Sequence, residues 1–308
     1  MIKPPAIKPG DRIAVVSPSS STAAEKIAKG IALLEGRGYE VILGEHAYDV
    51  DAFLAGTDEH RAADLMGAWF DDSIAAIIFS RGGYGMGRLM PHLDLDRMAA
   101  VPKLVVGFSD ATALHLALNR RGLATLHAPM LLSFTKDRAP WVSQLWFQAM
   151  EGTGPVALPP DAPRGETILG GTAEGVVTGG CLCLLSDSLG TRDSLSAQDK
   201  ILLIEDVDEH AYRVDAMLTH LLASGALEGV AGIVVGEMTR TDDQADPSIP
   251  TKPWREVVIE RLARLNVPMI IGFPFGHGEH MASLPLGIKA KLDADRGELT
   301  YLELGVAK

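Results

Sequence analysis

Short apolar runs alternate with helix-like patterns through the first half of the chain. The runs are Arg12–Ser17, Glu40–Leu43, Ile74–Phe79 and Lys103–Phe108. Between them, Ala24–Leu34 and Asp58–Phe70 have apolar residues at helical spacing, and the serines after Pro18 are predicted to cap the first helix. Continuous apolar strands separated by helices predict a parallel sheet that is covered on both faces. Ligands of such sheets bind at the carboxyl ends of the strands, so the residues that follow each run are the first candidates for function.

The composition changes near residue 150. The stretch 151–171 is dense in Gly and Pro and predicts a linker or domain crossing. Beyond it strands are more frequent, with one helix from Tyr212 to Ala223 and a hairpin from Ile288 to Leu304. At 308 residues the chain has room for two domains of about 150 residues each. We therefore predict an α/β fold, with a flavodoxin-like parallel-sheet domain over 1–150 and a smaller β-rich domain over 172–308.

The charge balance is acidic. The chain has 28 Lys+Arg against 40 Asp+Glu, a formal net charge of −12, and lacks the basic stripe that nucleic-acid binding needs. The longest apolar runs, such as Ile74–Phe79 and Val267–Ile271, fall short of the ~20 residues that span a bilayer. The N-terminal segment has no hydrophobic signal core. We expect a cytoplasmic protein with neither a nucleic-acid nor a membrane partner.

Cys181 and Cys183 are the two cysteines of the chain. On a strand, this spacing would direct both side chains to the same face. A zinc site has about four ligands at other spacings, and a disulfide scaffold has more cysteines. We therefore expect both residues to be small buried hydrophobic groups without chemistry.

Ser109 stands where an apolar strand gives way to a predicted helix, Ala111 to Arg120, in the sequence Gly107-Phe108-Ser109-Asp110. A hydroxyl at such a turn lies beside backbone N–H groups that can stabilise an oxyanion. Serine is also a favoured N-cap residue, and position alone favours this structural interpretation. The G-x-S-x-G elbow of the α/β-hydrolases is absent from the sequence.

A glycine-rich loop, Arg81–Arg88, follows the strand Ile74–Phe79. Its glycines would let backbone N–H groups approach a phosphate or an oxyanion closely. As a dinucleotide fingerprint the loop is weak, because its spacing is G-G-x-G-x-G and it follows a later strand, although Asp110 lies where a ribose-binding acid would be expected. A tight structural turn is an equally good interpretation.

Two further candidates follow apolar strands in the second half. Glu205 is the carboxylate closest to the run Ile201–Ile204, and an acid at a strand end can orient a histidine. His277 lies between glycines on a loop, which suits a general base with a pKa near neutral. The sequence H-G-E-H that begins at His277 differs from the H-E-x-x-H zinc motif.

Three more carboxylates come after Glu205 along the chain. Asp206, Asp208 and Glu209 precede the predicted helix Tyr212 to Ala223. Negative charge near a helix N-terminus is favourable. We therefore interpret these three carboxylates as favourable charges at the start of the following helix.

Together these residues resemble the LD-carboxypeptidase family, the muramoyl-tetrapeptide carboxypeptidases, in which microcin C self-immunity peptidases form a sister branch. The resemblance covers nearly the whole chain and is specific because the motifs occur in order. They are Pro9–Ser19, Leu54–Arg61, Arg81–Gly85, Gly107–Asp110, His127–Met130, Gly179–Leu185, Ile204–Arg213 and Gly272–His277.

The resemblance implies a role for each strand-end candidate. Ser109 would be the nucleophile, His277 the general base and Glu205 the acid that orients it. The oxyanion hole would use the backbone N–H of Asp110 and one from the Gly82-Gly83 loop, for which we take Gly83. The family's fold implies that the active site lies in the cleft between an N-terminal α/β domain and a β-rich domain.

The implied activity is removal of the terminal D-Ala from a murein tetrapeptide, without a metal or organic cofactor, by a homodimer. Two departures from the family pattern concern the fit of the substrate: the family often has Asn where this chain has Cys181, and Gly where it has Ala128. The implied alternative is an amidohydrolase of the self-immunity branch that acts on aminoacyl sulfamoyl adenylate or a similar nucleotide conjugate. Trp141 and Trp146 could then stack on a base, although ordinary packing is the better explanation for each. A third alternative is a non-catalytic nucleotide-binding protein in which Ser109 is an N-cap.

Overall fold

The computed structural model describes residues 1–246, 248 and 250–308 and divides into two compact units. The first unit comprises 1–154, 283–287 and 304–308, and the second comprises 155–282 and 288–303. Each unit is built around its own sheet. Among the described residues, no helix is both long enough and apolar enough to cross a membrane.

The first unit contains a six-stranded sheet in the order β11-β5-β4-β3-β1-β2. Its strands are β1 Arg12–Val16, β2 Glu40–Leu43, β3 Ile74–Phe79, β4 Leu104–Gly107, β5 Thr125–His127 and β11 Leu284–Leu286. The first five strands run parallel, and β11 is an antiparallel edge. The parallel order 2-1-3-4-5 is that of flavodoxin-like sheets. This confirms the predicted fold of the first half.

The helices of the first unit connect its strands. They are α1 Ala24–Gly36, α2 Asp58–Phe70, α3 Met86–Leu89, α4 Leu95–Ala100, α5 Thr112–Arg120 and α6 Pro140–Glu151. Helix α2 begins at a Thr57 cap whose hydroxyl accepts a hydrogen bond from the His60 N–H, and Asp58 and Glu59 add favourable charge to its first turn. Strands β3 and β4 are buried almost throughout. A sheet covered on both faces requires such continuous apolar strands.

The prediction that a serine caps α1 is wrong. The N-cap residue is Ala23, which makes no side-chain cap hydrogen bond. The serines serve other loops instead: the Ser19 hydroxyl donates to the Asp110 carboxylate at 2.6 Å, and Ser20 Oγ accepts the N–H of Tyr84 at 3.2 Å. Tertiary partners have therefore replaced the local partner that the sequence pattern indicated.

The second unit contains a seven-stranded sheet in the order β13-β12-β7-β8-β9-β10-β6. Its strands are β6 Glu166–Leu169, β7 Thr172–Cys181, β8 Lys200–Val207, β9 Gly232–Thr239, β10 Met269–Ile271, β12 Lys289–Asp293 and β13 Glu298–Tyr301. The central strands β7 to β10 are parallel, and the outer ones are antiparallel. Its helices are α7 Leu182–Asp187, α8 Ala211–Ala223 and α9 Trp254–Leu262.

The predicted hairpin and helix of the second half are confirmed as β12–β13 and α8. The stretch 151–171, predicted as a linker or crossing, includes strand β6, which pairs with β10. Its Gly and Pro residues exclude a helix but not a short edge strand. The division of the chain at 1–150, 151–171 and 172–308 stays a prediction.

Candidate active site

Ser109 occupies a strained turn at the carboxyl end of β4. Its φ is +62°, a left-handed conformation that residues other than glycine seldom adopt. A short 3₁₀ turn, Ser109–Ala111, leads from it into α5, and no side-chain cap hydrogen bond is made at the start of that turn or of α5. The structure therefore does not support the N-cap interpretation of Ser109. A strained strand-to-helix turn is instead typical of an exposed nucleophile.

The glycine-rich loop lies against Ser109. A Cβ atom on Gly82 would be 3.0 Å from the Ser109 Cβ and 3.2 Å from its Oγ, so a side chain at this position would crowd the hydroxyl. Gly83 has a φ of +111°, and a Cβ there would be 2.4 Å from Ser20 Oγ. In the described part of the chain, the Gly83 N–H has no hydrogen-bond acceptor. The loop therefore brings a free backbone donor to the neighbourhood of the serine.

The Asp110 side chain holds the loops around Ser109 in place through hydrogen bonds. Its buried carboxylate accepts hydrogen bonds from the Ser19 hydroxyl at 2.6 Å and the Met86 N–H at 2.7 Å. Burial raises the pKa of Asp110, against the opposing effect of these hydrogen bonds. The carboxylate thus joins the loops after β1, β3 and β4. It supports the turn that presents the Asp110 backbone N–H, the predicted second oxyanion donor.

Arg61 is a structural residue of this region to which the sequence analysis gave no role. Its side chain is 1% exposed and donates to the carbonyl oxygens of Pro18, Gly56 and Gly85, as well as pairing with Asp58. One buried guanidinium therefore holds three loops at the carboxyl ends of the strands. A helical-spacing argument would have placed it inward, because the other buried residues of α2 include Ala62, Leu65 and Trp69.

Glu205 and His277 form a hydrogen-bonded pair in the second unit. His277 Nδ1 lies 2.6 Å from Glu205 Oε2, and the His277 backbone N–H donates to the same oxygen at 3.1 Å. Glu205 is fully buried at the end of β8. A Cβ on Gly276, whose φ is +90°, would be 2.3 Å from Glu205 Oε2, so the close approach requires glycine. The sequence placed both residues at strand ends, and the structure brings them into contact.

This pairing sets the protonation of the imidazole. Burial lowers the pKa of His277, but the charge of Glu205 and its hydrogen bond outweigh that effect, and the net shift is upward. Because Nδ1–H donates to the carboxylate, the neutral ring keeps its lone pair on Nε2. An imidazole oriented in this way can accept a proton at Nε2 and is stabilised when charged.

Asp206 has a different role from the predicted one. Its carboxylate accepts the N–H of Cys183 at 2.8 Å and the thiol of Cys181 at 3.4 Å, so it serves the first turn of α7 and not the helix that follows. Asp208 pairs with Arg240, while Glu209, which directly precedes the α8 cap residue His210, pairs with Arg213. The role predicted for these two carboxylates at the start of α8 stays a prediction. The position of Asp206 follows from strand pairing between distant segments. Strand β8 lies beside β7, and the end of β7 continues into α7.

The two cysteines also differ from expectation. Cys181 ends β7, but Cys183 lies in α7, so they do not share one face of a strand. Their sulfur atoms are nevertheless 3.4 Å apart.

Ala128, the other departure from the family pattern, is buried and donates its N–H to the Gly107 carbonyl at 3.1 Å. Cys181 is paired with Glu205 across β7 and β8, and Gly107, to which Ala128 donates, comes two residues before Ser109.

We expect Asp206 to make the stability of the protein fall between pH 4 and pH 6. Burial, aided by the charge of Glu205, raises the pKa of Asp206 from 3.8 to about 6. The folded state therefore holds this proton more tightly than the unfolded state, and raising the pH through this window destabilises the fold, by up to about 3 kcal/mol. Urea unfolding at several pH values measures the trend, and Asp206→Asn should show a smaller fall. Equal falls in both proteins would contradict this assignment.

Comparison with known proteins supports a single family. Residues 13–128 match the model of the LD-carboxypeptidase N-terminal domain, and residues 174–292 match that of the C-terminal domain. A putative carboxypeptidase of Streptomyces coelicolor is 39% identical over 97% of this chain and 96% of its own length. The murein tetrapeptide carboxypeptidase of Pseudomonas aeruginosa is 32% identical over 92% of this chain and 94% of its own.

A solved structure shows the same fold in a sister branch. The microcin C7 self-immunity protein MccF, in complex with aspartyl sulfamoyl adenosine, superposes with a TM-score of 0.88, 23% identity and full coverage of both chains. At this identity the likeness concerns the fold alone. With matches to both family domains and relatives above 30% identity along nearly its whole length, this chain belongs to the LD-carboxypeptidase family.

Proposed function

We propose that this chain is a serine LD-carboxypeptidase that removes the C-terminal D-alanine from murein tetrapeptides. Family membership supports a hydrolase of the carboxypeptidase type. The observation that carries the proposal is the Glu205–His277 pair, whose 2.6 Å hydrogen bond at Nδ1 orients the imidazole for proton transfer at Nε2. The relative from P. aeruginosa, named for murein tetrapeptides, supports the choice of substrate.

The proposed mechanism uses five groups. Ser109 Oγ attacks the carbonyl carbon before the D-alanine while His277 takes its proton, and Glu205 stabilises the imidazolium. The backbone N–H groups of Gly83 and Asp110 stabilise the oxyanion. His277 then protonates the leaving amine, and water hydrolyses the acyl-enzyme to release the shortened peptide and regenerate Ser109.

Arg81 is our proposed anchor for the terminal carboxylate of the substrate. Three arginines near the candidate motifs could serve this purpose, but Arg88 forms a bidentate pair with Asp58 and Arg213 pairs with Glu209. Arg81 donates to a backbone carbonyl, that of Ser21, and within the described residues its buried Nε has no partner. A guanidinium next to the glycine-rich loop is suited to a carboxylate ligand.

The second candidate function is hydrolysis of a nucleotide conjugate, as in the self-immunity branch. It is favoured by the close fold likeness to MccF, whose structure contains aspartyl sulfamoyl adenosine. The suggested stacking of Trp141 and Trp146 on a base does not support it, because these side chains are 4% and 0% exposed and lie in the core. Trp146 packs against Phe134 and Phe147.

A comparison of three substrates distinguishes the two functions. Wild-type protein is incubated with purified murein tetrapeptide, with the same peptide ending in L-alanine, and with aspartyl sulfamoyl adenosine, and products are identified by mass spectrometry. We expect the peptide that ends in D-alanine to release its terminal residue and the peptide that ends in L-alanine to release none. The kcat/KM should be highest for the murein tetrapeptide. A higher kcat/KM for the conjugate would reverse the order of the two candidates.

We further propose that the protein acts in peptidoglycan recycling as a homodimer in the cytoplasm. Murein tetrapeptides, for which the P. aeruginosa relative is named, would be the substrates. Light scattering of the purified protein would test the dimer, whose expected mass is twice the 32.8 kDa of the chain. A mass of one chain at micromolar concentration would refute it.

A further inference from the structure

Two histidines and an aspartate converge near the carboxyl end of β2, apart from the residues of the proposed mechanism. The Nδ1 atoms of His46 and His60 lie 2.9 Å and 3.1 Å from the same oxygen, Oδ2 of Asp49. The two imidazole rings are stacked, with centroids 3.9 Å apart and planes 16° apart. One ligand atom from each residue fits within a span of 4.8 Å.

These separations suit a shared ion. With metal–ligand bonds of about 2.1 Å, neighbouring ligand atoms are about 3.0 Å apart in an octahedral site and about 3.4 Å apart in a tetrahedral one. The observed 2.9 Å and 3.1 Å lie close to the octahedral value. Both Nδ1 atoms point at the carboxylate, so an ion between them would replace two ring protons, which move to Nε2 or to solvent.

The backbone that carries these three side chains is held by its surroundings. The His46 N–H donates to Asp64 Oδ2 at 2.9 Å, and the Asp49 N–H donates to the His46 carbonyl at 3.1 Å. A Cβ on Gly56 would be 2.9 Å from the Asp49 Cβ, so the backbone there packs directly on the ligand. His60 is fixed in the first turn of α2 through its N–H bond to Thr57. A preorganised set of ligands binds metal more tightly than a mobile one.

The local charge favours a cation. The Asp49 carboxylate faces both Nδ1 atoms and supplies negative charge at the centre of the cluster. Two further acidic residues lie close by: the Asp64 side chain accepts the His46 N–H, and Glu45 directly precedes His46 in the chain. The side chains of His46, Asp49 and His60 are 21%, 40% and 48% exposed, so an ion can reach them from solvent.

We propose that His46, Asp49 and His60 form a binding site for a divalent transition-metal ion of the zinc type, completed by water. Two imidazoles and one carboxylate are the donor set that zinc, cobalt and nickel prefer, whereas magnesium and calcium prefer oxygen ligands. The ion would tie the loop between β2 and α2 to the start of α2. Arg61 follows His60 directly and holds the glycine-rich loop through the Gly85 carbonyl. The ion would therefore stabilise the framework around Ser109 without entering the reaction.

Equilibrium dialysis with Zn²⁺ and absorption spectroscopy with Co²⁺ test the site. For the wild type we expect one equivalent bound with a Kd below 100 μM, a Co²⁺ visible band, and a rise in melting temperature with Zn²⁺. Magnesium should produce none of these. His60→Ala should weaken binding at least tenfold and abolish the thermal shift, since removal of one of three ligands leaves an incomplete site.

Three further variants make the result specific. His92→Ala removes an exposed histidine outside the cluster and should bind like the wild type. Cys183→Ser disrupts the other group of potential ligands, which consists of Cys181, Cys183 and Asp206. This variant should also bind one equivalent of Zn²⁺. Asp49→Asn removes a ligand without changing α2 and replaces His60→Ala if that variant fails to fold. Wild-type affinity in both His60→Ala and Asp49→Asn, or no binding at 1 mM Zn²⁺, would overturn the proposal.

Discussion

Replacement of Ser109 by alanine is expected to lower kcat on the murein tetrapeptide by about 10⁴- to 10⁶-fold, the range for loss of a nucleophile that acts with a general base. Without the hydroxyl no acyl-enzyme can form, and the residual rate depends on the oxyanion donors and on binding alone. The protein should still fold, because the Ser109 hydroxyl caps neither the 3₁₀ turn nor α5. The readout is D-alanine release under single-turnover conditions.

A matched serine variant controls for general effects of the substitution. Ser143 lies in α6, where its hydroxyl bonds to the Pro140 carbonyl within the same helix. Ser143→Ala should therefore have wild-type kcat and KM, since alanine is a good helix former. Circular dichroism and urea unfolding should be alike for all three proteins. Retention of more than a tenth of the wild-type kcat in Ser109→Ala would remove Ser109 as the nucleophile.

Replacement of Glu205 by glutamine is expected to lower kcat by about 10⁴-fold, as for loss of the acid that orients a catalytic histidine. Glutamine has the same shape but no charge, and its amide can present a donor where His277 Nδ1–H needs an acceptor. The wrong tautomer would then place the proton on Nε2. Stopped assays at saturating substrate measure this loss.

The pH profile separates this role from a purely structural one. Glu205 raises the pKa of His277 through its charge and hydrogen bond. In Glu205→Gln the imidazole should therefore lose its proton at lower pH, and the acid limb of the kcat/KM profile should move to lower pH. Glu228→Gln, the same change at an exposed turn, should leave rate and profile unaltered. An unshifted acid limb in Glu205→Gln would contradict the assigned pairing.

The strand-end candidates could be predicted because their signals are local. Apolar runs mark where strands end, and Ser109, Glu205 and His277 each follow such a run within a few residues. The parallel class of the first sheet also follows from local patterns, since strands that alternate with helices are joined by crossover connections. A chain with this pattern has little freedom in where its functional loops emerge.

Residues whose partners are distant in sequence could not be predicted in this way. Ser19 was expected to cap a helix but bonds to Asp110, 91 residues away. Asp206 was expected to serve α8 but accepts the N–H of Cys183 across a parallel strand pair. In both cases a short polar side chain had a plausible local partner, and burial with a better-placed distant partner decided the outcome.

The sequence by itself therefore determined the alternation of strands and helices in the first half, the parallel class of the first sheet and the loops that carry the candidate catalytic residues. These depend on periodicity and on glycine at left-handed or crowded positions, which are properties of short segments. The sequence did not predict helices α7 and α9 or the parallel centre of the second sheet. The tertiary structure alone decided the pairing of Glu205 with His277, the three loop carbonyls that accept from Arg61 and the convergence of His46, Asp49 and His60. Hydrogen bonds and charge interactions depend on distances of a few ångströms between residues far apart in the chain, and chain folding sets those distances.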